Sequence, residues 1–404
     1  MSQASPRELK AGREICQNLS GDLMMAVHSF TIAHIEPLVF RVPIETPVVT
    51  SFGVMRDRPA VFVRVVAGDG AEGWGEAWCN FPAVGAEHRA RLIASVLAPL
   101  IEGRTFETPA AAFAFMQEAT AVLAIQSGEP GPLAQAVAGI DIAIWDMLAR
   151  RSAQPLNRFL GGADVGRVRA YASGLNADEP ERLASRKAEA GFRRFKIKVG
   201  FGEERDLRNL ETMRQTFGDE TELMVDANQA WNTDTAMRMG RLFEPLAPKW
   251  LEEPVRADAS IETWQSIARG CGVPLANGEN LRGAAEFSAM TASGAVRYLQ
   301  PDIGKWGGIS GCLTVARHAV DSGVTYCPHW LGGGVGLIAS LHLLAAIGGE
   351  GILEVDANPN PLREDLILGF PEMADGDMLI PEGAGIGVAP DLSALKRYAV
   401  DIPS

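Results

Sequence analysis

The sequence predicts an α/β fold, an eight-stranded TIM-type (β/α)8 barrel carrying an α+β capping domain built from the N-terminal part and the C-terminal tail. Three observations predict it. Short β-like runs end on a polar residue at Lys198, Asp226, Glu252, Glu279, Asp302, His329 and Glu354. Their endpoints fall about 23 to 28 residues apart, the length of one strand–loop–helix–loop unit, and helical segments fill the gaps. An opening strand at Val168–Ser173 brings the number of strands to eight.

The elements before the barrel read differently. Around residues 29–42 and 60–78, β-formers cluster or alternate, and Asp69-Gly70 supplies a hairpin turn. Arg89 to Leu123 has apolar residues at three- and four-residue spacing and predicts helix. Leu133–Arg150 is apolar on nearly every side and predicts a buried helix. The division expected is a disordered extension over 1–25, with Met24 or Met25 as an alternative start, and the cap over 26–155. The barrel follows over 156–360, and a Pro- and Gly-rich segment over 361–404 returns to the cap.

Composition narrows the class. The chain has 404 residues and a formal net charge of −13, which excludes the cationic footprint that nucleic acid requires. Its five cysteines are odd in number and show no CxxC spacing, so a reducing, cytoplasmic setting and no zinc site are expected. The uncharged stretch 322–349 contains Pro328 and the cluster Gly332–Gly334, so it divides into strand, loop and buried helix, and no membrane partner is expected. LGGGVG after His329 lacks the Walker lysine and the G-x-G-x-x-G spacing, and is read as a tight turn or a close backbone approach.

In a barrel of this kind the strand C-termini share one face, where active sites are built. Asp226, Glu252 and Glu279 end three successive strands; converging carboxylates repel unless a cation neutralises them, and an all-oxygen set suits Mg2+. Strand pleat allows only one of Glu252 and Glu253 to point inward, and Glu252 matches its neighbours. Asn228, two past Asp226, stays near the site as a substrate contact. Lys196 and Lys198 share one face, and two ammonium groups beside a cation would depress each other's pKa and free an amine as general base. Asp302 would orient His329 for proton transfer from the opposite wall. Glu354, if protonated, could hydrogen-bond an enolate oxygen. Arg56 and Arg58 lie where a loop could carry a cation to a distal substrate group, and Trp78, Phe81 and Trp330 suggest a partly apolar pocket.

Together the runs KIK, VDANQAW, LEEP, NGEN, QPDIGKWGG, CPH and LE, with GIDIAIWDML and PEGAGIGV outside them, resemble the mandelate racemase-like branch of the enolase superfamily from about Val27 onward. The resemblance implies a modified, enolase-like barrel, a cap with two mobile loops near Thr50–Arg58 and Cys79–His88, and Mg2+ on Asp226, Glu252 and Glu279. It also implies Lys198 as acid/base, an Asp302–His329 dyad and a dimer or octamer. Muconate lactonizing relatives carry a lysine where Asp302 stands, which argues against that branch. The chemistry implied is abstraction of the proton α to a carboxylate by Lys198 or His329, with Lys196 helping to hold a small carboxylate substrate. The outcome expected is dehydration of an aldonate or aldarate, with racemisation, epimerisation and lactone cycloisomerisation as alternatives. A metal-dependent hydrolase is less compatible with the paired lysines, and a non-catalytic binding protein with the full acid/base set.

Overall fold

The computed structural model describes residues 29–50 and 53–402; the expected disordered extension and alternative start lie outside them. The cap begins with a long antiparallel ribbon, β1 (Phe30–Thr50) and β2 (Gly53–Ala67), joined by β3 (Glu72–Ala77). The turn at Asp69-Gly70 lies between β2 and β3 as the sequence predicts, with Gly70 at φ 86°. The far end of the ribbon outruns β3, and Val48 there lines the cavity described below. Arg56 and Arg58 therefore stand on strand β2 rather than in a loop.

Helix α1 (Gly85–Leu92) continues through a π-turn to Ile101, and the chain then breaks before α2 (Pro109–Ser127). The single helical stretch expected over 89–123 is thus two helices. Gly103 has φ 76°, Thr108 accepts from the Ala111 N–H as N-cap, and Pro109 occupies the first turn of α2. Strand β4 (Thr105–Phe106) in the break pairs with β1.

Helix α3 (Pro130–Arg151) is long and apolar enough to cross a membrane, yet 89% of its most apolar window is buried, as befits a core helix. It lies close against β3 because Gly73 and Gly75 share one face of that strand. A Cβ at Gly75 would stand 2.0 Å from the Gly139 carbonyl oxygen. On the opposite face of β3, Glu76 points to the barrel, an arrangement that follows from strand alternation.

After α4 (Leu156–Phe159) the barrel runs β5 (Arg167–Leu175), α5 (Pro180–Glu189), β6 (Arg194–Lys198), α6 (Glu203–Phe217), β7 (Glu222–Asp226), α7 (Thr233–Phe243) and β8 (Leu251–Glu252). It continues with α8 (Ile261–Gly270), β9 (Leu275–Asn277), α9 (Gly283–Ala292), β10 (Tyr298–Leu299), α10 (Gly308–Asp321), β11 (Thr325–Tyr326), α11 (Gly334–Ile347) and β12 (Leu353–Asp356). Strands β5 to β11 pair in parallel sequence, and β12 returns to pair with β5. Eight strands are present, but β12 leads into the C-terminal segment instead of a barrel helix, which is the modification of the plain (β/α)8 pattern.

That segment forms β13 (Ile367–Leu368), β14 (Met373–Ala374), β15 (Asp377–Leu379), β16 (Ala389–Pro390) and α12 (Leu392–Leu395). Strand β15 pairs with β5, and the Val400 N–H donates to the Val39 carbonyl of β1.

Glu76 docks the cap on the barrel. It is fully buried, and its two oxygens accept from the Gly333 and Gly336 N–H groups at 2.5 and 2.9 Å, at the N-terminus of α11. Burial pushes its carboxyl up to about 8 against the pull of those donors. Glu76→Ala, which orphans buried N–H groups, is expected to cost about 2–3 kcal/mol in urea unfolding at neutral pH. Glu76→Gln keeps an acceptor and should cost less than half of that. A raised carboxyl pKa means that the folded chain holds a proton which the unfolded chain releases near 4.5. The Glu76 contribution is therefore present at low pH and declines up to about 8. The Gln variant should lack that decline, and an equal pH slope in both chains would refute it.

Candidate active site

On five strands the inward-facing residue of the barrel core is followed two positions on by a polar one. Tyr171, Met224, Trp250, Cys327 and Ile352 form one buried cluster inside the strands. Two residues further along the same faces stand Ser173, Asp226, Glu252, His329 and Glu354. Strand β9 differs: two residues beyond the inward Ala276 stands Gly278, at φ 150°, and a Cβ there would come within 2.6 Å of the Gln300 backbone. The chain swings at this glycine and Glu279 follows it.

Lys196 and Lys198 both face the barrel mouth. The Lys196 ammonium lies 2.6 Å from Glu252 Oε1, 2.8 Å from Glu354 Oε1 and 4.0 Å from Asp226 Oδ2. Lys198 donates to Asp226 Oδ2 and Asn228 Oδ1, each at 2.6 Å. The mutual depression expected of the pair is overridden. Burial pulls both pKa values down, but Glu252 and Glu354 around Lys196, and Asp226 beside Lys198, hold both above the ordinary lysine value.

On the opposite wall, His329 Nδ1 lies 2.6 Å from Asp302 Oδ2. A carboxylate can only accept, so Nδ1 carries the proton. The other oxygen, Asp302 Oδ1, takes the Gly304 and Lys305 N–H groups, which fixes the carboxylate on its own turn. His329 Nε2 lies 2.5 Å from Glu279 Oε2. Burial opposes its charge, but Glu279 and Glu354 push the imidazole up to about 10. Glu354 is not the protonated donor expected. Burial acts to raise it, yet Lys196, His329 and the Ser173 hydroxyl bring it down to about 2, so it stands as a carboxylate.

Asp226 and Glu252 are buried and Glu279 nearly so. Glu252 Oε2 accepts from Trp250 Nε1 and Gln300 Nε2, at 3.0 and 2.7 Å. Glu253 does not turn outward as strand parity suggests. With φ at 39° the chain leaves the pleat, and the carboxylate is buried against Asn280 Nδ2, which also serves Glu279. Among the described residues no three His, Cys, Asp or Glu side chains converge as they stand into a common coordination shell. The Lys196 and Lys198 ammonium groups are interleaved with the acids. The donor set still fits a hard divalent cation: six carboxyl groups (Asp226, Glu252, Glu253, Glu279, Asp302 and Glu354) face three lysines and one histidine, and the three on adjacent strands offer only oxygen.

A cavity open to solvent lies over these groups. Lys198, Asn228, Glu279, His329 and Glu354 line it on the barrel side, and Val48, Trp78 and Phe81 on the cap side. Two substrate-contact expectations are corrected. Arg56 is exposed and does not line the cavity; Arg58 is the buried one of the two, engaged with Asp356. Trp330 is 1% exposed, donates Nε1 to the Gly333 carbonyl and fills the space that Gly304 and Gly336 leave open, so it buttresses the loop after His329. Of the LGGGVG glycines, Gly332 and Gly336 make room for this indole, Gly332 and Gly333 for Glu76, and Gly334 for the Arg363 backbone.

Lys305 is the residue that sequence reasoning missed. Its ammonium lies 3.3 Å from both Glu279 Oε2 and Asn280 Oδ1, over the Trp78 ring, and it lines the cavity. The signal was its place three residues after Asp302, on the turn that the Asp302 carboxylate caps.

Residues 34–161 match the mandelate racemase/muconate lactonizing enzyme N-terminal domain, and residues 179–394 the enolase C-terminal domain-like family. D-galactarolactone cycloisomerase from Agrobacterium fabrum is 32% identical over 362 residues, covering 86% of this chain and 93% of that protein. A crystal structure of a mandelate racemase/muconate lactonizing enzyme from Bordetella bronchiseptica RB50 superposes with a TM-score of 0.87 at 50% identity, covering 92% of this chain and 99% of that one. A racemase from Streptomyces coelicolor A3(2) with bound magnesium superposes with a TM-score of 0.83 at 27% identity, covering 91% and 100%. Other relatives are named as sugar-acid dehydratases, cycloisomerases and racemases. The chain is an enzyme of the lyase or isomerase type and belongs to the mandelate racemase/muconate lactonizing enzyme family of the enolase superfamily.

Proposed function

We propose that the enzyme dehydrates a sugar acid to a 2-keto-3-deoxy acid, using Mg2+ held by Asp226, Glu252 and Glu279. The observation that carries this reading is the pairing of a lysine and a histidine–aspartate dyad on opposite sides of one cavity, Lys198 against His329. Bound Mg2+ would supply Lewis-acid stabilisation of the charge that develops on the substrate carboxylate. Lys196 adds a fixed positive charge at the same place, held by Glu252 and Glu354. Lys198, whose proton Asp226 holds in this structure, would be freed as the neutral amine once a cation takes up that carboxylate, and in that form it takes the proton from C2. His329 gives a proton from Nε2 to the hydroxyl leaving C3, so water departs and the enol left behind becomes the keto acid. Asp302 keeps the imidazole oriented throughout.

The 32% identity to a galactarolactone cycloisomerase favours a second outcome, in which the same two groups expel a ring oxygen in place of a hydroxyl. Proton NMR in D2O with Mg2+, against pooled aldonates, aldarates and their lactones, separates them. Loss of the C2 proton with a new C3 methylene is expected, from an open-chain acid for the dehydratase and from a lactone for the cycloisomerase. Exchange at C2 without elimination would transfer the assignment to racemase or epimerase. The same signal should vanish with a chelator and return with added Mg2+; a chelator-insensitive reaction would remove the metal from the reading.

A further inference from the structure

The cap-facing end of the cavity has its own chemistry. Strand β12 places Asp356 two residues beyond Glu354 on the same inward face, roughly 7 Å nearer the cap. Asp356 lines the cavity, together with Asn358, Asn176 and Ser173. Its cationic partners stand behind it. Arg58 reaches in from the cap to place NH2 2.8 Å from Asp356 Oδ2 and its Nε on the Pro359 carbonyl. Arg363, 1% exposed, lies 3.7 Å from the same oxygen and bonds Glu364. Neither guanidinium lines the cavity. Asp356 Oδ1 accepts from the Asn358 N–H and Nδ2 at 3.0 and 2.8 Å, so the carboxylate has about one acceptor position left of four.

A substrate whose carboxylate lies beside Lys196 and Lys198 therefore meets at its far end an anionic acceptor flanked by amides. Among the described residues no arginine lines the cavity, and its two lining lysines are already engaged, Lys198 with Asp226 and Asn228 and Lys305 with Glu279 and Asn280. A hydroxyl can donate to Asp356, a methyl leaves it unpaired, and a second carboxylate faces it with like charge. Resting on the acid-sugar reading above, we propose that Asp356 is a substrate-contacting, specificity-determining residue and that the enzyme acts on polyhydroxy monocarboxylates in preference to dicarboxylates. The plain alternative is that Asp356 only ties Arg58 and Asn358 together.

The test uses acids matched at C2 to C5 and differing at C6 alone, in the galacto and gluco configurations: the aldonate (CH2OH), the 6-deoxyaldonate (CH3) and the aldarate (COO−). With wild-type enzyme and Mg2+, kcat/KM for loss of the C2 proton is expected to fall at least tenfold from aldonate to 6-deoxyaldonate, and again to aldarate. Asp356→Asn should raise KM for the aldonate about tenfold with kcat within a few-fold, and lower KM for the aldarate. An aldarate preferred by the wild type overturns the inference and leaves the acid-sugar reading intact. The expected order with an unchanged KM in Asp356→Asn overturns the role of Asp356. No reaction with either set, combined with none in the wider NMR pools, overturns both. If the variant does not fold, the wild-type series alone decides.

Discussion

Lys198→Met is expected to lower kcat by about three orders of magnitude, near 4 kcal/mol of transition-state stabilisation, because a general base supplies about 10²–10⁴-fold. The same change leaves Asp226 Oδ2 and Asn228 Oδ1 without the ammonium that now bonds both at 2.6 Å. Some stability should be lost too, so a fall in activity alone would not distinguish a base from a structural cation. Lys198→Arg makes the distinction. A guanidinium keeps the charge beside Asp226 but cannot be deprotonated in the working range. The arginine variant should thus melt near the wild type yet lose as much activity as the methionine variant. Exchange of the substrate C2 proton with D2O is the direct readout. If either variant exchanges within tenfold of wild type, Lys198 is not the base on that proton.

Much of this site was legible because barrel strands write a period of two. Once strand ends were located, parity placed Lys196, Lys198, Asp226 and Glu252 on one inward face, and the Lys196–Glu252 ion pair at 2.6 Å follows from that placement. Parity fails where the backbone leaves the pleat. Glu253 at φ 39° and Gly278 at φ 150° redirect the chain, and neither angle can be read from a count of residues. Charge state was the other failure. Two lysines read in isolation depress one another, but long-range folding brings Glu252, Glu354 and Asp226 between them, and those partners come from other strands. Arg56 and Arg58 show the same limit in the cap. They share a strand face, and only Arg58 lies where the carboxylate of Asp356, 298 residues away in sequence, can meet it.

His329→Asn should separate two chemical steps that Lys198 variants cannot. On the dehydratase reading, Lys198 removes the C2 proton and His329 delivers one to the leaving hydroxyl. The asparagine variant should therefore form product at least a thousandfold more slowly while still exchanging C2 hydrogen with D2O. Asp302→Asn should produce the same pattern through a different route. Asp302 Oδ2 now accepts from Nδ1 at 2.6 Å and stabilises the imidazolium. An amide presenting its NH2 there would favour the tautomer with Nδ1 bare and would withdraw that stabilisation. The imidazole would then lose its proton at lower pH, and the basic limb of the product-formation profile should move to lower pH in Asp302→Asn. A fold defect would not do this, since it would reduce exchange and product formation together at every pH. The opposite pattern, exchange abolished in His329→Asn and retained in Lys198→Met, would mean that the histidine attacks C2 from its own face. The substrate would then carry the opposite configuration at C2, and the assignment of base and acid would be exchanged with the proposed metal ligands unaltered.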